Sequence, residues 1–178
     1  VIFILTGPIH SGKTTLIKKT AQKLKQGGLE IDGFLSESRW RDKEIFGYDL
    51  LDLGNGKSYP FIRRTGKKDW ERQGPFYFLP ETMTLAKKII GRIQNTDICV
   101  IDEVGPLEMS GKGLWHPLKK SLSINRFHHL LVIRISILEK FLSRIHRKDV
   151  RLFGVEEKNT SVEMFKSLMS EQSRSRGS

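Results

Sequence analysis

Two kinds of apolar pattern alternate along the chain. Residues 1–6 (V-I-F-I-L-T), 97–102 (D-I-C-V-I-D), 128–135 and 150–155 are short and almost unbroken in apolar character, as expected of strands buried on both faces of a parallel sheet. Between them, apolar residues recur at helical spacing. Residues 15–26 put Leu16, Ile17, Thr20, Ala21 and Leu24 on one face and stop at Gly27 and Gly28. Residues 81–94 carry Met83, Ala86, Ile89, Ile90 and Ile93, with Pro80 just before them as suits a helix start. Further helices are expected over 113–123, broken near Pro117, over 137–147 with a basic outer face, and over 161–169.

Residues 30–64 read differently. Segments 31–38 and 45–53 are strand-like with a charged turn at 39–44, and Gly54, Asn55 and Gly56 mark a hairpin before 58–62. Three strands joined by such short turns predict an antiparallel meander inserted after the first helix, because parallel pairing needs longer crossovers. Residues 65–80 are irregular, and Trp70, Phe76, Tyr77 and Phe78 are expected to anchor them to the core. The polar segment 171–178 reads as a disordered tail. The pattern predicts one α/β domain over 1–170, with a largely parallel central sheet flanked by helices and the β-meander over 30–64.

Composition narrows the function classes. The chain has 178 residues, 38% hydrophobic and 29% charged, which suits one globular domain, and no apolar run approaches the ~20 residues that cross a bilayer. A lone cysteine, Cys99, excludes an internal disulfide and fits a reducing, cytoplasmic setting. The net charge of +11 would attract anions, nucleic acid among them. The basic residues are spread along the chain, so a solvated surface is favoured over a nucleic-acid footprint.

The candidate chemistry begins where the first strand ends. Gly7, Pro8, Ile9, His10, Ser11, Gly12, Lys13 and Thr14, followed by Thr15, fit the Walker A pattern G-x-x-x-x-G-K-[ST] between a strand and a helix. Backbone N–H groups of such a P-loop wrap a β-phosphate, and the helix N-terminus adds positive potential. Lys13 would reach the β- and γ-phosphates of a nucleoside triphosphate, and the Thr14 hydroxyl would hold Mg²⁺. A second strand end, I-C-V-I-D-E, supplies Asp102 as a Walker B acid for the metal. Glu103 follows and could take a proton from a water attacking the γ-phosphate, which favours hydrolysis. Glu108 could orient that water or cap a helix. Arg39, Arg64, Arg134 and Arg147 are candidates to neutralise the transferring phosphoryl group. Transfer to a small acceptor by a kinase, and an ATPase acting on nucleic acid, are the alternatives.

Four stretches carry a resemblance: T-G-P-I-H-S-G-K-T-T-L, then D-G-F at residues 32–34, G-Y-D-L-L-D-L at 47–53, and V-I-D-E-V-G-P-L-E-M at 100–109. In this order and spacing they resemble the small nucleoside-triphosphatase family of hyperthermophiles, to which the cancer-related nucleoside triphosphatases belong. The resemblance implies a RecA-like sheet and slow, Mg²⁺-dependent hydrolysis of several nucleoside triphosphates to diphosphate and phosphate. It also implies catalytic roles for Lys13, Glu103, Arg39 (in Glu37-Ser38-Arg39) and Arg64. This chain departs from the family pattern at Ile9-His10-Ser11, over residues 134–138, and at Lys158-Asn159-Thr160.

Overall fold

A computed structural model of the chain describes residues 1–176, apart from the side chains of Glu103, Ser175 and Arg176. Its strands are β1 (Ile2–Gly7), β2 (Ile31–Arg41), β3 (Glu44–Asp52), β4 (Ser58–Arg63), β5 (Arg72–Gln73), β6 (Phe76–Phe78), β7 (Ile98–Val104), β8 (His128–Arg134) and β9 (Val150–Gly154). The helices are α1 (Lys13–Gln26), α2 (Pro80–Arg92), α3 (Pro106–Met109), α4 (Trp115–Leu122), α5 (Leu138–Ile145) and α6 (Thr160–Arg176). All the strands lie in one sheet, in the order β5-β6-β4-β3-β2-β7-β8-β1-β9.

The unbroken apolar runs became the parallel centre, as their two-sided burial requires. β1 pairs in parallel with β8 and β9, and β7 with β8 and β2. One face of the sheet is covered by α1 and α6, where Ile17, Ala21, Leu24, Met164 and Leu168 pack on Phe3, Leu5 and Val100. The other is covered by α2 to α5, with Ile89, Leu118 and Phe141 against Ile4, Phe34 and Ile101.

The meander is not an insertion apart from this sheet. β2 pairs in parallel with β7 through residues 31–34, then in antiparallel fashion with β3, so it is the last core strand and the first meander strand at once. The sheet is therefore mixed. The close fit of β2 against β7 depends on Gly33, at φ +113°, where a Cβ would stand 1.9 Å from the Val100 carbonyl oxygen. The charged turn expected over 39–44 narrows to Asp42 and Lys43, both at positive φ, the conformation that matches a two-residue hairpin to strand twist.

Three other expectations change. Residues 65–80 contain two short strands, β5 and β6, which extend the sheet; Phe78 meets Phe61 edge-to-face at 5.7 Å and Phe76 meets Tyr48 at 5.6 Å. Pro117 does not break α4. It sits in the first helical turn, where a missing N–H leaves no intrahelical bond unmade. Nor is the segment after residue 170 a disordered tail as far as Arg176: α6 continues through it, because Arg151 donates to Glu171 and Gln172 donates to Asp97. Residues 177 and 178 lie outside the described residues.

Candidate active site

At the C-terminal edge of the central strands, β1 runs through a tight loop into α1. Gly7 has no room for a side chain, since a Cβ would meet Val155 Cγ1 at 2.4 Å. His10 (φ 62°) and Gly12 (φ 84°) take the left-handed conformation, which turns successive backbone N–H groups toward one side. Gly12 is the N-cap of α1 and makes no side-chain cap, which leaves the first N–H groups of that helix uncapped by it. The Lys13 ammonium folds over the loop, donating to the Gly7 carbonyl at 3.1 Å, to the Pro8 carbonyl and to Ser11 Oγ at 3.3 Å. Ser11 Oγ donates to the Pro8 carbonyl at 2.8 Å, closing the loop on itself.

Across from this loop stands the acidic end of β7. Asp102 is 1% exposed, and its Oδ2 accepts from the Thr14 hydroxyl at 2.8 Å and from the Ser36 backbone N–H at 3.1 Å. The pairing of β7 with β8 slips here. Ile101 is in register with Leu131 and Val104 with Ile133, so Asp102 and Glu103 together oppose Val132 alone. This bulge breaks the regular alternation of the strand beside Asp102, as bulges next to functional sites do. The Glu103 side chain lies outside the described residues.

The loop and the acid line a cleft of about 300 Å³. Its far wall comes from alternate residues of β2, Ser36, Ser38 and Trp40, with Tyr48 of β3, which is in register with Ser38. Val104, Val132 and Arg134 complete it. Trp40 is 60% exposed and its indole N–H donates to Ser38 Oγ at 3.1 Å. Ser36 is 1% exposed, and among the described residues its hydroxyl has no hydrogen-bond partner.

All nine residues 7–15 expected to bind nucleotide lie at this loop, and seven of them (Ile9, His10, Ser11, Gly12, Lys13, Thr14 and Thr15) line the cleft with Asp102. The two arginines expected to be catalytic do not. Strand alternation turns Arg39 to the face opposite Ser38 and Trp40, where its Nε donates to Asp49 at 2.6 Å. Arg64 donates to the Ile45 carbonyl at 2.7 Å and lies over the Phe76 ring. Arg147 is held by Asp149 and the Leu122 carbonyl. Glu108 resolves toward capping: one carboxylate oxygen accepts from the Gly105 N–H at 2.8 Å and the other from the Leu114 N–H at 3.1 Å. Among the described residues no group of three or more His, Cys, Asp or Glu could hold a metal. No described helix is long and apolar enough to cross a membrane.

Sequence reasoning missed the wall of Ser36, Ser38, Trp40 and Tyr48. The signal was the period-two spacing of 36, 38 and 40, but nothing local says which face of a strand meets the cleft.

Comparison with known proteins shows the family. Residues 2–168 match the NTPase family. A bovine cancer-related nucleoside-triphosphatase homolog is 32% identical over 87% of this chain and 88% of its own length. A nucleoside-triphosphatase THEP1 of Hyperthermus butylicus is 34% identical over 62% of this chain; the match spans 59% of that relative, under two thirds of its length. The solution structure of a human cancer-related nucleoside triphosphatase superposes with a TM-score of 0.73 at 26% identity, covering 94% of this chain and 95% of that one.

Proposed function

The chain belongs to the NTPase family, and we propose that it hydrolyses nucleoside triphosphates, ATP and GTP among them, to diphosphate and phosphate at the cleft between α1 and β7. One observation carries the reading. Thr14, directly after Lys13 at the start of α1, is hydrogen-bonded to the buried Asp102 at the end of β7. On this reading the two residues belong to the Walker A and Walker B halves of a P-loop site, and the hydrogen bond between positions 88 apart supports it.

The loop N–H groups and the α1 N-terminus take the phosphate oxygens, for which helix dipole and unpaired donors are suited. Lys13 exchanges its present carbonyl and hydroxyl acceptors for oxygens of the β- and γ-phosphates. The Thr14 hydroxyl and the Asp102 carboxylate are hard oxygen donors, and the Ser36 hydroxyl, unpartnered among the described residues, lies on the same cleft. Such a small donor set fits Mg²⁺, which keeps several waters and takes phosphate oxygens instead of an all-protein cage. Bound there, Mg²⁺ supplies charge neutralisation at the phosphoryl oxygens.

Glu103, beside Asp102 in the bulge, accepts a proton from the attacking water. The water oxygen bonds to the γ-phosphorus, the bond to the β–γ bridging oxygen breaks, and the electron pair stays on the diphosphate. The relatives described above are named as triphosphatases and lend no support to transfer to an acceptor. A single cysteine, here buried, fits the reducing cytoplasm, and the spread of basic charge adds no nucleic-acid role to this reading.

The test is phosphate release from ATP, GTP, CTP and UTP with Mg²⁺, wild type against Lys13→Ala. Release by the wild type that vanishes in the variant supports the reading. Equal release by both overturns it.

A further inference from the structure

Arg134 ends β8, the strand lying between β1 and β7. On one side its register partner is Gly7, where the glycine-bounded loop begins. On the other side β7 carries the bulge with Asp102 and Glu103 opposite Val132. Val132 and Arg134 are two apart and share a strand face, and both line the cleft; Ile133 between them is buried in the core. The strand order thus sets a guanidinium between the loop that takes the phosphates and the strand that ends in the acids.

Among the described residues, Arg134 is the arginine that lines this cleft. Other arginines lie outside that lining, Arg39 and Arg63 beside Asp49, Arg92 beside Asp32 and Asp52, Arg147 beside Asp149, and Arg151 beside Glu171. A triphosphate brings more negative charge than Lys13 and one divalent ion neutralise. During cleavage that charge moves onto the β–γ bridging oxygen and the three oxygens of the transferring group. A planar, permanently charged fork is suited to this task.

We propose that Arg134 is a catalytic residue whose guanidinium contacts the γ-phosphoryl and bridging oxygens and stabilises the charge that builds as water displaces the diphosphate. This rests on the hydrolase reading above. Arg134 keeps its proton throughout, so it is a cationic partner and not an acid. Because it belongs to the same chain as the loop, the site supplies its own arginine and needs none from another protein.

The experiment compares wild type, Arg134→Ala, Arg134→Lys and Arg126→Ala in steady-state hydrolysis of Mg-ATP and Mg-GTP. Equilibrium nucleotide binding and added guanidinium ion at sub-denaturing concentration are measured in parallel. Arg126 is exposed just before β8, at the end of that strand remote from the cleft, and its variant controls for the loss of one positive charge. We expect Arg134→Ala to lower kcat about 100- to 1,000-fold with nucleotide still bound. Arg134→Lys should recover only part of this, and guanidinium ion should accelerate Arg134→Ala but not wild type. Arg126→Ala should match wild type. A kcat within roughly threefold of wild type in Arg134→Ala, or a loss confined to KM, overturns the proposal. If Arg134→Ala does not fold, Arg134→Lys carries the same test, and a wild-type kcat in it overturns the proposal. Absence of phosphate release by wild type overturns the hydrolase reading instead.

Discussion

The Thr14 hydroxyl donates to Asp102 Oδ2 over 2.8 Å, pinning the first turn of α1 to the bulged end of β7. Both groups are oxygen donors and both face the cleft. Thr14→Val keeps the shape of the side chain and removes the hydroxyl. We expect phosphate release to fall about 100-fold or more and half-saturation by Mg²⁺ to move to higher concentration. A Mg²⁺ titration of initial rates in wild type and variant measures both, and an unchanged titration would show that Thr14 holds no metal.

Under the proposed function Glu103 takes the proton while Asp102 serves metal and scaffold, so their variants should differ in kind. Glu103→Gln should bind nucleotide with near wild-type affinity yet lose about 10²- to 10⁴-fold in kcat. Asp102→Asn should lose Mg²⁺-dependent nucleotide binding as well. Full activity in Glu103→Gln would remove the general-base assignment, whatever happens at Asp102.

Gly33 holds β2 against β7 and, through β2, brings Ser36 to Asp102. A methyl group there meets the Val100 carbonyl and sits on a backbone at φ +113°. Gly33→Ala should cost about 2 kcal/mol or more, from overpacking and backbone strain together. Urea denaturation reads the stability loss. At a temperature where the variant is still folded, hydrolysis should be lower too, since the donor to Asp102 is displaced.

Stability should fall on mild acidification because of His129. It is 1% exposed, its ring Nε2 lies 3.0 Å from Ser121 Oγ, and burial, reinforced by nearby positive charge including Arg147, lowers its pKa to about 3. Burial also lowers that of His128. The unfolded chain binds protons near the ordinary histidine value of about 6.5, so below that pH it holds more protons than the native state. The stability is complete above about 6.5 and is lost as pH falls toward about 3; between pH 6.5 and 5, His129 alone accounts for roughly 2 kcal/mol. Urea midpoints from pH 7.5 to 5 should decline in wild type and decline less in His129→Gln.

Much of the site was legible because it is local. Residues 7–15 form one contiguous signal in which strand, glycines, Lys13 and helix coincide, and the Asp102–Glu103 pair ends an apolar run that could only be a buried strand. The parallel centre followed from the same runs. What could not be read depends on who sits beside whom. The residues alone do not rank Arg39, Arg64, Arg134 and Arg147, and the family resemblance favours Arg39 and Arg64; strand parity turns Arg39 off the cleft, and the place of β8 between β1 and β7 puts Arg134 on it. The double role of β2 required knowing that β7 is its neighbour. Helix α6 runs past residue 170 because Arg151 and Asp97, distant in sequence, hold Glu171 and Gln172.

One donor to the Asp102 carboxylate is the peptide N–H of residue 36. Every amino acid except proline presents that group, so the contact passes unchanged through nearly any substitution. Its upkeep therefore leaves no trace in residue identity: a alanine scan across β2 would report position 36 as dispensable to the acid, and only Ser36→Pro would expose the dependence. The serine side chain is thereby released to vary with whatever fills the cleft, while the support of the acid stays with the backbone.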